Sequence, residues 1–367
     1  MNALAQTRTL VSPRWELAGR LAVTAGGICV YLLAMQIPLP GLDHAALATL
    51  SGYGPSGAIA RLSIGALGLI PLFTALAIAE LVRLLGPDSW NAESKRHGFA
   101  PDWVLWLALI FAGIQASQIA AAIEQSGGGR FSFVAAPSLQ FRLMCVVSMT
   151  TVTALYWWLA TMITRHGLGA GFWVLFVTLS AINLATSVPP VIEPVRLGVA
   201  PMSELAVLFG YTLVSVAFVV YAYVTFIAPD RAGLLLWPSL LAPQAMALLL
   251  IPVSVVSMAL SVDLLGPLSS VMTPGHWLWT AVVAAFTTLF VLLYNARSGS
   301  PLPGPQIALV AAGLIVIVAA PLLLNSRAVA IVMDGATLVG LTVVALKLFE
   351  NARAVLQRGR AATAERI

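Results

Sequence analysis

The chain has 367 residues, of which 60% are apolar and only 9% are charged, and its mean hydropathy is +0.95. A soluble domain carries roughly 25% charged residues, so this composition excludes an ordinary water-soluble protein. Apolar stretches near the length of a membrane helix, about 20 residues, recur along the whole sequence. We therefore predict one all-α integral membrane domain. No cleaved signal peptide is expected, because the first apolar stretch lacks a small-residue cleavage site.

Ten apolar segments follow one another, separated by short polar joints. The predicted spans are Arg20–Gln36, Gly57–Leu85, Trp103–Ile123, Leu139–Ile163 and Leu168–Ser187 in a first set, and Ser203–Ile227, Leu240–Leu264, His276–Asn295, Gln306–Leu324 and Ala328–Phe349 in a second. This five-plus-five pattern divides the membrane part into a first half, residues 20–190, and a second half, residues 191–349. Residues 1–19 and the basic tail 350–367 are expected outside the membrane.

The distribution of positive charge predicts the orientation. Cytoplasmic loops retain Lys and Arg. With a cytoplasmic N-terminus, fourteen of the 19 Lys and Arg residues fall on that side, and the remaining five are Arg61, Arg130, Arg142, Arg196 and Arg327. Both termini are therefore expected in the cytoplasm of a bacterial inner membrane. Because the basic residues sit at helix ends rather than on one face, nucleic-acid binding is not expected despite a pI near 9.6.

The second predicted span contains a break. Gly57, Gly65, Gly68 and Pro71 interrupt it, and Arg61 lies in its first half. The pattern predicts a half-helix, a break near Gly68 and a second half from Pro71. Broken backbone at membrane depth is tolerated where it is buried in protein or lines a watery cavity. A Pro-kinked, packed helix is the alternative, and Arg61 favours the cavity because a guanidinium is costly in hydrocarbon.

Catalytic and metal-binding motifs are absent from the sequence. It has no Walker loop and no H-E-x-x-H, and His44, His97, His166 and His276 lie at helix ends without metal-ligand spacing. Both cysteines, Cys29 and Cys145, lie inside apolar runs and are predicted to be core residues. We expect no enzyme activity, no cofactor and no metal.

Four stretches carry a resemblance to a known family. Arg20 to Asp43 resembles the first helix of SecY and its P-x-P-G-x-D turn, and Gly57 to Leu81 is similar to that family's plug half-helix and the rest of its second span. T-R-H-G-L-G-A-G at 164–171 resembles the start of the family's fifth helix, normally T-E-R-G-I-G-N-G. Gly335-Ala336-Thr337-Leu338 resembles the family's G-G-T-S-L. The resemblance implies a protein-conducting channel between two inverted five-helix halves.

Site residues follow from the resemblance by position. An apolar pore ring would contain Leu69, Phe73, Phe172, Phe176, Leu250 and Val339. The plug would span about Gly57 to Gly68 and include Gly57, Arg61, Gly65 and Gly68. Helices 2, 3, 7 and 8 would form a lateral gate to lipid, with Gln115, Gln244 and Glu80 as polar residues.

Each of these roles has a purely structural alternative. A ring residue taken alone also fits core or lipid-facing packing. The two amides could bond neighbouring carbonyls across or within helices. For Glu80, a structural salt bridge with Arg83 or Arg165 is an equal alternative.

The chain departs from the family at two joints. SecY carries long basic cytoplasmic loops between helices 6 and 7 and between helices 8 and 9, where it binds the ribosome or the SecA motor. Here these joints are only residues 228–239, with Arg231, and 296–305, with Arg297. Pro- and Gly-rich stretches of this length are turns. Arg165 and Ala170 also replace the Glu and Asn usual at the start of the fifth helix.

Three functions follow as hypotheses. The first is a SecY-like channel or membrane insertase for a narrow set of small polypeptides, independent of ribosome and SecA docking. The bilayer and the polypeptide are then its partners, and a small SecE-like single-span subunit is a candidate. The second is an inverted-repeat solute transporter, and the third is a non-conducting membrane scaffold. A central intramembrane carboxylate would favour the transporter, and Glu80 and Asp334 lie near helix ends instead.

Overall fold

The computed structural model describes residues 13–43, 61–86, 100–125, 134, 138–227, 232–245, 277–298, 301–324 and 335–364. Ten helices in these ranges correspond in order to the ten predicted spans. They are α1 (Pro13–Ala34), α2 (Ile70–Leu85), α3 (Asp102–Gln125), α4 (Leu139–His166), α5 (Gly171–Ser187), α6 (Met202–Phe226), α7 (233–245), α8 (Trp277–Arg297), α9 (Gly304–Leu323) and α10 (Gly335–Ala364). A short helix, Pro189–Arg196, follows α5. The described residues contain no strand beyond two isolated β-bridges.

Six helical stretches within the described part of the chain are long and apolar enough to cross a membrane. They are Trp15–Ala34, Asp102–Gln125, Leu139–His166, Gly171–Arg196, Met202–Phe226 and Trp277–Arg297, and Gly304–Ala319 is a shorter apolar helix. Large apolar side chains on these helices are exposed, for example Leu213 at 72% and Val224 at 73%. Such exposure fits lipid as the solvent.

Several helix boundaries differ from the predicted spans. Hydropathy places the start of the first span at Arg20, but α1 begins at Pro13, because Glu16 and Arg20 form an i, i+4 ion pair that extends the helix past the apolar stretch. Helix α7 begins at residue 233 rather than Leu240, which shortens the predicted 6/7 joint. The predicted tail from residue 350 is helical as far as Ala364, as a continuation of α10.

The chain divides into two compact units. Unit 1 contains residues Met1–Ala79, Pro87–Phe176 and Lys347–Ile367, and unit 2 contains Glu80–Gly86 and Val177–Leu346. This contact-based division differs from the predicted halves, 20–190 and 191–349. Those halves are defined by the repeat pattern and stay a prediction.

Unit 1 is built on close packing between α3 and α4. The buried side of α3 repeats every four residues as Val104, Ala108, Ala112, Ala116 and Ala120, all fully buried. Small side chains allow two membrane helices to approach closely and gain dispersion contacts without a hydrophobic driving force. Cys145 of α4 lies in this core as predicted. Cys29 of α1 is exposed, so its predicted core position is wrong.

In unit 2 a tyrosine bonds a carbonyl that a proline within a helix leaves without a partner. Pro321 has no N–H, so the carbonyl of Ile317 loses its helical partner within α9. The buried hydroxyl of Tyr211 on α6 donates to that carbonyl at 2.9 Å. A Cβ on Gly335 would lie 2.2 Å from the same oxygen, so only glycine fits at the start of α10. The carbonyl of Ile317 on α9 is thus bonded by α6 and closely approached by the first residue of α10.

We expect Tyr211→Phe to destabilise the protein by about 1–3 kcal/mol, because it leaves a buried carbonyl unsatisfied. Tyr221→Phe is the matched control, since Tyr221 lies on the same helix and is 51% exposed. Chemical unfolding in detergent micelles measures both free energies. Equal losses in the two variants would contradict the role given to Tyr211.

Candidate functional site

The predicted break in the second span is present. Residues 62–69, which we call the hinge segment, form consecutive turns, Gly68 has a φ of +54°, and α2 begins at Ile70. Residues 57–60 of the predicted plug lie outside the described residues, and Arg61 is helical and exposed. After Arg61 the chain leaves the helix and turns, which the glycines at 65 and 68 allow. The assignment of about Gly57 to Gly68 as a plug stays a prediction.

The hinge segment pairs with the chain that leaves α1. The N–H of Leu39 donates to Leu62 at 2.9 Å, and the N–H of Ile64 donates to Ile37 at 2.9 Å. The N–H of Gly65 adds a bond of 3.2 Å to the carbonyl of Ala34. Two of the four sequence stretches that carried the family resemblance are thus joined to each other through their backbones.

Gly65 lies where the hinge segment passes closest to its neighbours. A Cβ at this position would lie 2.6 Å from the Tyr156 hydroxyl and 2.9 Å from the Ala34 carbonyl. Tyr156 is held in turn by an edge-to-face contact with Tyr31, with ring centroids 4.7 Å apart. Both tyrosines are almost fully buried. The hinge therefore rests on a rigid aromatic pair, and a side chain at position 65 would displace it.

An apolar cluster fixes both sides of this pairing. Leu39 and Leu42 from the turn after α1 and Leu67 from the hinge segment pack with Phe141 and with residues of α3 and α4. Gly41 adopts a φ of +89°, and a Cβ there would lie 3.1 Å from the Phe141 ring. The P-x-P-G-x-D turn thus forms part of the apolar surface against which the hinge segment packs.

At each glycine of the turn between α4 and α5, a side chain would clash with a neighbouring atom. A Cβ on Gly171 would lie 2.1 Å from the Ala160 carbonyl, and one on Gly167 would lie 2.7 Å from the Thr24 hydroxyl. Gly169 has a φ of +84° and approaches Leu348 of α10. Although Arg165 and Ala170 differ from the residues usual in the family, the chain keeps these glycines.

Two threonine hydroxyls complete the backbone bonding of the same turn. The N–H of Leu168 donates to Thr24 at 2.9 Å, and the N–H of Gly171 donates to Thr164 at 2.8 Å. Each hydroxyl also donates to a carbonyl of its own helix. The start of α5, and with it the position of its aromatic residues, is fixed by these bonds.

Three predicted ring residues converge, all within unit 1. The Phe73 ring centroid lies 6.4 Å from that of Phe172 and 5.7 Å from that of Phe176, and the last two are 6.2 Å apart. The planes are nearly parallel, with angles of 3° to 26°. The expected convergence is confirmed, whereas their assignment to a pore stays a prediction. Leu69, one turn before Phe73, is buried.

Sequence reasoning missed Trp173. Its ring meets Phe172 and Phe176 edge-on, with centroid distances of 5.1 and 5.9 Å. We call Phe73, Phe172, Trp173 and Phe176 the aromatic cluster. The sequence did contain an indication of its role, because the run F-W-V-L-F at 172–176 places three aromatic residues within little more than one helical turn.

The remaining ring and gate residues are less constrained. Val339 is fully buried in unit 2, and Leu250 lies outside the described residues. Gln115 is half-buried on α3 in unit 1, and Gln244 is half-buried on α7 in unit 2. Their roles stay predictions.

Glu80 forms the salt bridge expected from sequence, with Arg83 as its partner. The Arg83 Nε donates to the Glu80 carboxylate at 2.8 Å, and a second guanidinium nitrogen also bonds it. The Tyr294 hydroxyl of α8 donates to the same carboxylate, and the Arg83 guanidinium lies 5.4 Å from the Tyr294 ring centroid. These three residues belong to unit 2.

The joint between α8 and α9 is closed by its own side chains. The Asn295 carboxamide accepts from the Leu302 N–H at 2.7 Å and reaches the Leu302 carbonyl at 3.5 Å. Ser298 bonds the Asn295 carbonyl through its hydroxyl at 2.8 Å. Arg297, the single basic residue of this joint, donates to the Gly86 carbonyl at 3.0 Å. Side-chain hydrogen bonds therefore hold together the two described ends of this joint, at Asn295–Ser298 and at Leu302.

Comparison with known proteins gives a consistent result. The SecY family profile matches residues 63–228. The protein translocase subunit SecY of Haemophilus influenzae is 29% identical over 238 residues, which cover 60% of this chain and 52% of that protein. The same subunit of Escherichia coli K12 is 29% identical over 199 residues, covering 50% and 44%. The chain thus spans about half the length of the curated relatives it matches.

Solved structures extend the likeness to nearly the whole chain. A structure described as that of a protein conducting channel matches with a TM-score of 0.58 at 10% identity, covering 92% of both chains. A second, on the SecY plug domain and the closed state of the translocation channel, gives a TM-score of 0.57 at 12% identity with the same coverage. At these identities the match establishes the fold.

We expect Gly65→Ala to destabilise the protein by about 1–3 kcal/mol, because the added methyl overlaps Tyr156 and Ala34. Gly113→Ala is the control. Nothing lies within 4 Å of a Cβ at position 113 of α3, so there the change should stabilise by up to about 1 kcal/mol. Unfolding in detergent gives both values. The hinge assignment fails if Gly65→Ala is neutral or stabilising.

Proposed function

We propose that this chain, a SecY-like protein, is a polypeptide-conducting channel or membrane insertase for a narrow set of small protein or peptide substrates. It works in a bacterial inner membrane with both termini in the cytoplasm, and it does so without ribosome or SecA docking. The aromatic cluster, in which Phe73 closely follows the hinge segment in sequence, is the observation that carries the proposal.

The chemistry of the aromatic cluster suits a seal that a polypeptide can pass. Apolar constrictions expel water and so block ions. Phe73 comes from α2 directly after the hinge segment, while Phe172 and Phe176 come from α5, so two separately anchored helices supply the rings. Rings offer no fixed hydrogen bond to an extended peptide. Leu69, Leu250 and Val339 stay the other predicted members of the ring.

The bonds in the described part of the joint between α8 and α9 support independence from the usual driving partners. A stable interface buries about 800 Å² on each partner. The turn between α8 and α9 is tied by Asn295, and its basic residue Arg297 already bonds the Gly86 carbonyl. The joint before α7 is shorter than the sequence indicated, since α7 begins at residue 233.

A solute transporter is less well supported. Ion coupling uses an intramembrane carboxylate that is free to bind and release a cation. Glu80 is instead held by Arg83 and Tyr294 at the end of α2. Asp334 lies outside the described residues. A non-conducting scaffold is the third function. A scaffold would not require the aromatic cluster to converge near the hinge segment. A small SecE-like single-span subunit remains a proposed partner.

We expect replacement of Phe73, Phe172 and Phe176 by Ala to raise ion conductance in planar bilayers roughly tenfold or more, because the dewetted gap fills with water. Deletion of residues 57–68 should also raise conductance, but less. The unaltered protein should stay near the level of the empty membrane.

Phe286→Ala with Phe290→Ala is the control, since these rings also stack, at 6.0 Å, on α8. Each variant is checked for its unfolding temperature. A folded triple variant with no added conductance would reject the pore assignment and favour the scaffold.

We further expect no binding of ribosomes or of a SecA-type ATPase tighter than about 10 µM in detergent, because the joints at residues 228–239 and 296–305 are too short to offer such a surface. Co-sedimentation and ATPase stimulation measure this. A SecY carrying its long loops serves as the positive control, and low-micromolar binding by this chain would overturn the proposal of independence.

A further inference from the structure

An open groove runs between α6 and α9, two helices that both belong to unit 2. It has a volume of about 560 Å³ and is lined by six residues of α6, from Val207 to Phe218, and by six residues in and just after α9, from Leu309 to Leu324. The lining positions on α6 are 207, 210, 211, 214, 215 and 218, and those within α9 repeat the same steps of three and four. Such steps select one face of a helix, so each helix supplies one continuous wall.

The groove has a buried floor and exposed rims. Tyr211 and Ile317 lie at the floor, with exposed fractions of 8% and 3%, and the tyrosine hydroxyl bonds the Ile317 carbonyl. Val214 and Val316 form the rims, with exposed fractions of 68% and 58%. None of the twelve lining residues is charged, and the Ser215 side chain is buried, so the accessible lining is almost entirely carbon. Such a surface suits an apolar ligand.

Two glycines give the groove its shape. Gly313 of α9 faces the Phe218 ring, which occupies the space that a Cβ on Gly313 would need, so the two helices touch there. Gly210 lies about two turns nearer the start of α6. Nothing lies within 4 Å of a Cβ placed on Gly210. The groove is therefore open beside Gly210 and narrow at Phe218.

The dimensions of the groove fit a single hydrocarbon chain. Val207 and Phe218 are eleven residues apart on one helix, which is about 16 Å at 1.5 Å per residue. One leaflet provides about 15 Å, half of a hydrocarbon core about 30 Å thick. A helix about 10–12 Å in diameter displaces roughly 1,300–1,800 Å³ over 16 Å, more than twice the volume of the groove. The groove is therefore too small to enclose a partner helix.

We propose that the groove between α6 and α9 binds one acyl chain of a membrane lipid, with its methyl end toward Phe218. The chain lies on Tyr211 and Ile317 between the two rims, so it gains dispersion contacts on both sides, whereas a lipid on a convex helix face gains them on one side. The headgroup lies beyond Val207, because the lining has no charged residue to hold it. The bound chain stabilises the pairing of α6 with α9, and this role does not depend on conduction.

Photolabelling locates the chain. The full-length protein is reconstituted in vesicles of phosphatidylethanolamine and phosphatidylglycerol with a trace of phosphatidylglycerol that carries a diazirine midway along one acyl chain. Peptide mass spectrometry then gives the labelled positions. We expect labelling at Val214 and Val316 to exceed that at Leu213 about tenfold. Leu213 is 72% exposed on α6 but does not line the groove, so equal labelling at all three positions would mean contact with bulk lipid only and would overturn the proposal.

Gly210→Phe tests the site by filling it where it is open. Gly113→Phe is the matched control, because a Cβ at position 113 also meets nothing within 4 Å, on α3 in unit 1. Native mass spectrometry in mild detergent should show about one phosphatidylglycerol more on the unaltered protein and on Gly113→Phe than on Gly210→Phe. Added phosphatidylglycerol should raise the unfolding temperature of the first two more than that of Gly210→Phe. Val316→Phe fills the groove from α9 and should act like Gly210→Phe.

Two results would contradict the lipid site. Unchanged lipid retention in folded Gly210→Phe and Val316→Phe would show that no chain is held in the groove. A dimer of the unaltered protein that disappears in Gly210→Phe would instead assign the groove to a second copy of this chain. If neither variant folds, photolabelling of the unaltered protein still decides.

Discussion

The structure depends on one constraint, which is that hydrocarbon offers no water to backbone groups left without a partner. At three places among the described residues where helical bonding is interrupted, a specific group supplies the missing bond. Tyr211 serves the carbonyl that Pro321 leaves open, Thr24 and Thr164 serve the turn before α5, and the strand-like pairing of residues 37–39 serves the hinge segment. Each of these interruptions is therefore tied to a second element, and the ties at the hinge segment and at the turn before α5 position the helices that carry the aromatic cluster.

Much of the architecture was accessible from sequence because hydropathy and glycine placement have local causes. The ten spans, the break near Gly68 and the Glu80–Arg83 pair all arise from residues close together in the chain. The helix ends were less accessible. A hydropathy profile drops where the first charged residues appear, so it ends the last span at Phe349. Helix α10 continues to Ala364, because Ala, Leu, Gln and Arg favour helix in water as well.

The site was predicted in part, and the missing pieces are long-range. Family position gave Phe73, Phe172 and Phe176, which do meet, but nothing local marks Tyr294 as a partner of Glu80, from which it is 214 residues distant. The steric demand at Gly65 likewise comes from Tyr156, on another helix. Contacts of this kind depend on how helices pack, and a single sequence does not state that.

Unit 1 combines segments from the beginning and from the end of the chain, and Gly169 approaches Leu348 within it. This arrangement bears on the order in which the unit is synthesised. Residues 347–351 leave the ribosome only after some 170 residues that follow Phe176, which at 5 to 20 residues per second takes roughly ten to thirty seconds. During that interval the turn before α5 lacks its cover from α10. The unit that is synthesised first is thus completed last, and a nascent chain stalled before α10 leaves that turn open to chaperones and proteases.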